Sequence, residues 1–207
     1  MNLLDRLVLL VTGLVAIYLL WRFYTDYRRS PAQHTLSYII GFAVLLVAGL
    51  LLIALTYSVL ASPLVVIVAA LIPLGIATGL VGEFLPNYGK GYLIFAVVGF
   101  LTLAVTRLAA MGPIATVTLI LVHTVAGLTI VLAPILATRQ GKAPSGFLGV
   151  TVGGALIGVG GIALAFLKTG SQLLFFSAEV VFAILAPLLL LMTLALTWGF
   201  VKKIRAA

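Results

Sequence analysis

Apolar residues run in long blocks along this chain, and polar residues gather in short clusters between them. A helix needs about 20 mostly apolar residues to cross the hydrocarbon of a bilayer. Seven segments have that character: 3–23, 36–60, 63–85, 91–109, 113–138, 146–167 and 178–200. The block from Leu36 to Leu85 is too long for one crossing and divides at Ser62-Pro63. Serine suits a helix N-cap, and proline suits the first turn, where an amide would be unbonded anyway. Met111-Gly112-Pro113 punctuates the fourth and fifth spans in the same way. The pattern predicts an all-α integral membrane protein, a single bundle of seven transmembrane helices over 1–207.

Composition removes the soluble alternatives. Of 207 residues, 64% are hydrophobic and 8% charged, with a mean hydropathy of +1.35, where a soluble domain carries about a quarter charged residues. Too little polar surface remains to cover such a core in water. The net charge of +8 would suggest nucleic acid in a soluble chain. Here the basic residues lie in the gaps between apolar blocks, so the expected partner is the lipid bilayer and not nucleic acid. Cysteine is absent, which excludes disulfides and thiolate-held metals.

The distribution of charge also predicts a direction. The odd-numbered gaps and the C-terminus hold Arg22, Arg28, Arg29, Lys90, Arg139, Lys142, Lys202, Lys203 and Arg205; the N-terminus and even gaps hold Arg6, Arg107 and Lys168. Nine against three places the N-terminus outside and the C-terminus in the cytoplasm of a multi-pass protein of the cell membrane. The first block reads as a retained anchor, not a signal peptide, because its basic residues follow it and no A-x-A site does. Trp21, Tyr24, Tyr27, Tyr92 and Trp198 fall near the inner boundary, and Tyr57, Phe175 and Phe176 near the outer one, as aromatic belts require. The gaps are too short for a soluble domain.

Little in the sequence supports chemistry. The acids are Asp5, Asp26, Glu83 and Glu179, all at span ends, and none pairs with another at helical spacing. No H-E-x-x-H, G-x-S-x-G, P-loop or dinucleotide fingerprint occurs. An enzyme is therefore not favoured. Glu83 and Lys90 bracket a turn, Phe84-Leu85-Pro86-Asn87-Tyr88-Gly89, and could pair across it.

His123 is the conspicuous exception, an imidazole about 15 Å along the fifth span at 1.5 Å per residue. An ionisable group at that depth is by default a functional candidate. Three roles are open. It can hydrogen-bond Thr116, Thr124, Thr129 or a proline-freed carbonyl. It can ligate a haem b, with the second ligand drawn from Met111, Met192, a partner chain or nothing, since His34 lies in the first gap. It can also line a proton or solute pathway. Pro73 and Pro187 interrupt helices that run in the same direction, an arrangement that can mark a transporter's binding site. In the sixth span, Gly149/Gly153 and Gly154/Gly158 are small-x-x-x-small pairs, which allow close helix packing within the bundle or against another chain. A threefold hairpin repeat, each copy with a Gly-Phe pair (Gly41-Phe42, Gly99-Phe100, Gly146-Phe147) and a later proline, is a further reading.

Seven spans match the retinal proteins in number, but the last span lacks their Schiff-base lysine until Lys202 and Lys203 beyond its end. Two functions remain. One is a non-catalytic integral subunit of a larger membrane complex, respiratory or otherwise energy-converting, meeting other subunits or a second copy through the Gly-rich sixth helix. The other is a small solute or ion transporter or channel built around the Pro-kinked helices and His123.

Overall fold

The computed structural model describes residues 1–168 and 177–206, and among them every regular element is helical. In order these are α1 (Leu3–Arg29), α2 (Gln33–Leu55), α3 (Pro63–Ala69), α4 (Leu71–Phe84), α5 (Pro86–Leu108), α6 (Gly112–Arg139), α7 (Leu148–Lys168) and α8 (Ala178–Ala206). Six are long and apolar enough to cross a membrane when α3 and α4 are taken as one unit, Pro63–Phe84. The remaining apolar segment is α7.

Local chemistry explains the helix ends. The Asn2 side chain accepts from the Asp5 N–H at 2.8 Å, and the Asp5 carboxylate accepts from the Asn2 N–H at 2.9 Å. This reciprocal cap opens α1, while Arg28 and Arg29 close it at the end where the helix dipole favours cations. The second helix stops at Leu55, short of the expected 60, because Thr56 turns to φ 62 and a 3-10 turn over Tyr57–Ala61 follows. The third span breaks between Ala69 and Leu71. Pro73 has no N–H to offer the Ala69 carbonyl, so the ladder lapses at that turn. In α6, Pro134 likewise leaves the Ile130 carbonyl without its helical donor. The Thr151 hydroxyl of α7 donates to the adjacent Val131 carbonyl at 3.0 Å.

The helices pack in a closed circuit: α1 on α2, α2 on α4, α4 on α6, α6 on α7, α7 on α8, and α8 back on α1. Outside the circuit, α5 lies against α3, α4 and α6. Burial follows this arrangement: 56% of the apolar stretch of Pro63–Phe84 is buried, against 17% for α5. The first, third and fifth gaps meet the end of α8 at one end of the bundle, where Lys203 reaches Glu83, Lys142 reaches the Phe84 carbonyl and Lys202 packs on Gly146. Most of the chain's cations thus share this basic end.

Three Gly-Phe pairs do not occupy equivalent places. Gly41-Phe42 and Gly99-Phe100 lie inside α2 and α5, whereas Gly146-Phe147 forms a 3-10 turn before α7. The structure gives the hairpin repeat no common register.

Candidate functional site

The site grows out of a helix crossing. A methyl group added at Gly75 would lie 2.9 Å from the Gly41 nitrogen and the Ser37 carbonyl oxygen, so α2 and α4 touch backbone to backbone. One turn on, the Tyr38 ring rests directly on Gly79, in space that any side chain there would occupy. Another turn along the same face of α4 stands Glu83. Tyr38, fully buried, therefore has its hydroxyl in reach of that carboxylate and donates to Oε2 at 2.8 Å.

Lys203 of α8 completes the group by ion-pairing with Glu83 Oε1. Since α4 and α8 are not neighbours in the helix circuit, the pair bridges its interior. His34, in the first turn of α2, places Nε2 3.9 Å from the same oxygen. The Lys203 and Glu83 side chains are 11% and 15% exposed. At that depth the attraction is little screened, and each charge depends on the other.

Aromatic rings close the circuit just inside this pair. Phe200 lies 4.7 Å from Tyr38, 5.1 Å from Phe23 and 5.7 Å from both Phe42 and Phe147, ring centre to ring centre. The edge-on geometry of Phe200 on Phe42 and Phe147 suits the ring quadrupoles. Lys203 stands 5.7 Å from the Tyr38 ring centre, within cation–π range. The group is a stopper: an ion pair with a hydroxyl donor, seated on packed rings.

Beside the stopper is a cavity of about 550 Å³, bordered by Arg22, Asp26 and Arg29 of α1 and by His34 and Thr35 of α2, with Glu83 and Lys203 on its wall. A shallower hollow of about 420 Å³ lies at the opposite end, between Asn2, Asp5, Tyr57 and Phe182.

The residues singled out in the sequence are not brought together. His123 lies in α6 with Nδ1 buried, one turn from the Leu119 carbonyl, and without a well-aligned hydrogen bond among the described residues. Thr124 is exposed, while Thr116 and Thr129 donate to the Gly112 and Val125 carbonyls of their own helix. No hydrogen bond joins these hydroxyls to the imidazole among the described residues. His34 is held at the basic end beside Glu83, and no group of three His, Cys, Asp or Glu gathers among the described residues.

The Pro73 ring is buried in the core, whereas the Pro187 ring is exposed on the outside of the bundle. Lys90 is exposed, and Glu83 pairs with Lys203 instead, because the turn points Lys90 outward while α8 brings its ammonium inward. In α7, Gly149 abuts the Ala195 carbonyl and Gly199, Gly153 abuts Leu196, and Gly154 abuts Ile130. Those three glycines serve contacts with α8 and α6; Gly158 alone of the four faces open space. Phe175 and Phe176 lie outside the described residues.

Tyr38, His34, Lys203 and the arginine-lined cavity were not anticipated. A signal was present: Gly75 and Gly79 sit four apart in α4, with Glu83 four further on, the same spacing that marked the sixth span. Comparison with family models, with curated proteins and with solved structures finds no match for the chain.

Proposed function

We propose that this protein is a seven-span, non-catalytic integral subunit of a larger membrane complex, with its N-terminus outside and its basic end in the cytoplasm. The observation that carries the reading is the filled circuit. Tyr38, Phe42, Phe147 and Phe200 are completely buried, and so are Leu80, Val122 and Ala126 deeper in. Of the buried threonines, Thr12, Thr106 and Thr193 donate to carbonyls within their own helices, Thr35 borders the cavity at the basic end, and Thr197 stands one turn from Thr193 without a partner among the described residues. A solute path needs a chain of polar groups at successive depths, and the described interior offers side chains that pack instead. The positive-inside rule supports the orientation.

Gentle solubilisation followed by mass determination tests the assignment. Stable co-purification with other chains is the expected result, and a clean monomer with solute flux in liposomes would overturn it. Labelling of single cysteines added next to Met1 and at Ala207 tests the topology, with only the latter protected in sealed, right-side-out cells.

A second reading, a small transporter, is favoured by one observation: the Glu83–Lys203 pair crosses the circuit on a seat of aromatic rings, as an inner gate would. Flux that rises on breaking the pair would support it.

A further inference from the structure

The cavity at the basic end has the parts of an anion site. Three features on different elements converge there.

The first is the start of α2. Its earliest helical bond runs from the Leu36 N–H to the Ala32 carbonyl at 3.3 Å, and no side chain caps the amides before it. Ala32, His34 and Thr35 all border the cavity. Open amides at the N-terminus of a 23-residue helix attract an anion through both hydrogen bonding and the helix dipole.

The second is Thr35. It is 2% exposed, borders the cavity, and its hydroxyl makes no hydrogen bond to another described residue. The hydroxyl is unpartnered yet not sealed off from the cavity, so a ligand or water there can bond it.

The third is charge. Arg22, Asp26 and Arg29 lie four and three residues apart on one face of α1, and all three border the cavity. None is ion-paired among the described residues, whereas the Glu83 carboxylate on the cavity wall is already neutralised by Lys203. Two arginines against one aspartate leave a single uncompensated positive charge. That balance suits a monoanion better than a dianion, and a phosphodiester carries one negative charge. Trp21, 57% exposed, borders the same cavity, and Tyr24, 53% exposed, follows on α1, as at a membrane–water interface.

We propose that this cavity binds the phosphate of a phosphodiester, as carried by a phospholipid headgroup. The α2 amides and the Thr35 hydroxyl donate to its oxygens, and Arg22 and Arg29 supply the charge. Asp26 disfavours a second negative charge. The proposal does not depend on whether the chain serves as a subunit or a transporter.

The test uses the full chain, delipidated in detergent and examined by native mass spectrometry. Dioleoylphosphatidylglycerol and a glucosyl diacylglycerol with the same acyl chains are added separately, and inorganic phosphate is assayed by thermal shift. The phospholipid should be retained and the phosphate-free lipid should not. Replacing both arginines (Arg22→Gln with Arg29→Gln) should weaken retention at least about tenfold. Thr35→Val, which keeps the shape of the side chain, should weaken it several-fold and carries the test if the double variant does not fold. Lys90→Gln with Arg139→Gln removes two exposed cations from the same end and should leave retention unchanged. Stabilisation by inorganic phosphate that needs Arg22 and Arg29, without lipid retention, would keep the phosphate site and reassign its source to soluble phosphate. Equal loss in the Lys90/Arg139 variant, or no response to either ligand, would overturn the proposal.

Discussion

Two helix crossings in this molecule use the same device and come to different ends. Where α2 meets α4, Gly41 and Gly75 bring backbones into contact; where α7 meets α8, Gly149 and Gly199 do so. Without side chains at the crossing, the helices gain close dispersion contacts. Beyond that point they diverge. The α2–α4 crossing is followed by Tyr38 on Gly79 and by a carboxylate that captures a lysine. The α7–α8 crossing is followed by Gly153 against Leu196 and the Met192 carbonyl, with apolar side chains filling the gap. Glycine spacing therefore states that helices approach. The residue one turn further states whether the approach builds a polar site or only a core.

The sharpest way to break this comparison is to remove the polar end. Glu83→Ala leaves the Lys203 ammonium and the Tyr38 hydroxyl without their shared acceptor. It should cost about 3 kcal/mol in detergent-denaturation experiments, the scale for breaking a buried pair. Replacing both charges (Glu83→Leu with Lys203→Met) should recover most of the loss, since apolar packing often equals a buried ion pair. A Glu83→Ala cost below about 1 kcal/mol would mean that the group is more solvated than its burial implies.

Next come the glycines. Gly79→Ala and Gly149→Ala should each cost about 2 kcal/mol, by overpacking. They should differ in rescue. At Gly79 the obstacle is the Tyr38 ring, so Tyr38→Leu should relieve the added methyl group, measurable as a coupling energy in a double-mutant cycle. At Gly149 the obstacles are the Ala195 carbonyl and the Gly199 backbone, and Leu196→Ala should give no relief. Equal rescue at both sites would erase the distinction.

The smallest effects belong to positions outside both crossings. Gly158→Ala meets nothing within 4 Å and should be neutral or stabilise by up to about 1 kcal/mol, from helix propensity. His123→Leu should be neutral or mildly stabilising in the same unfolding assay, because it removes a buried nitrogen without a well-aligned partner among the described residues. Marked destabilisation there would reveal a role in holding the bundle together.

Much of the fold was legible because its causes are local. Pro63, Pro86 and Pro113 open helices at N1 or N2 in the structure, as the sequence suggests for the first and last of them. The end of α2 was missed because the polar trio Thr56-Tyr57-Ser58 is short and the apolar run resumes at Val59, so the dip reads as a span end and not as the reversal that Thr56 makes. The break at Ala70 was not seen as a break, although Pro73 was seen as a kink. At the site, Glu83 was visible but its partner was not. Lys90 is nearby in sequence and Lys203 far away, and only packing brings the distant one inward. Tyr38 was not singled out at all, because nothing local to it marks the carboxylate it meets.

The amino-acid order on its own determined that lipid surrounds this chain and where its helices run, because transfer from water to hydrocarbon sums over short stretches of neighbours. It also gathered the cations in alternate gaps. Only the tertiary structure decided which helices adjoin, which glycines are covered, and which lysine meets Glu83. Those outcomes rest on side chains from remote segments competing for the same small spaces, and no local sum contains that competition.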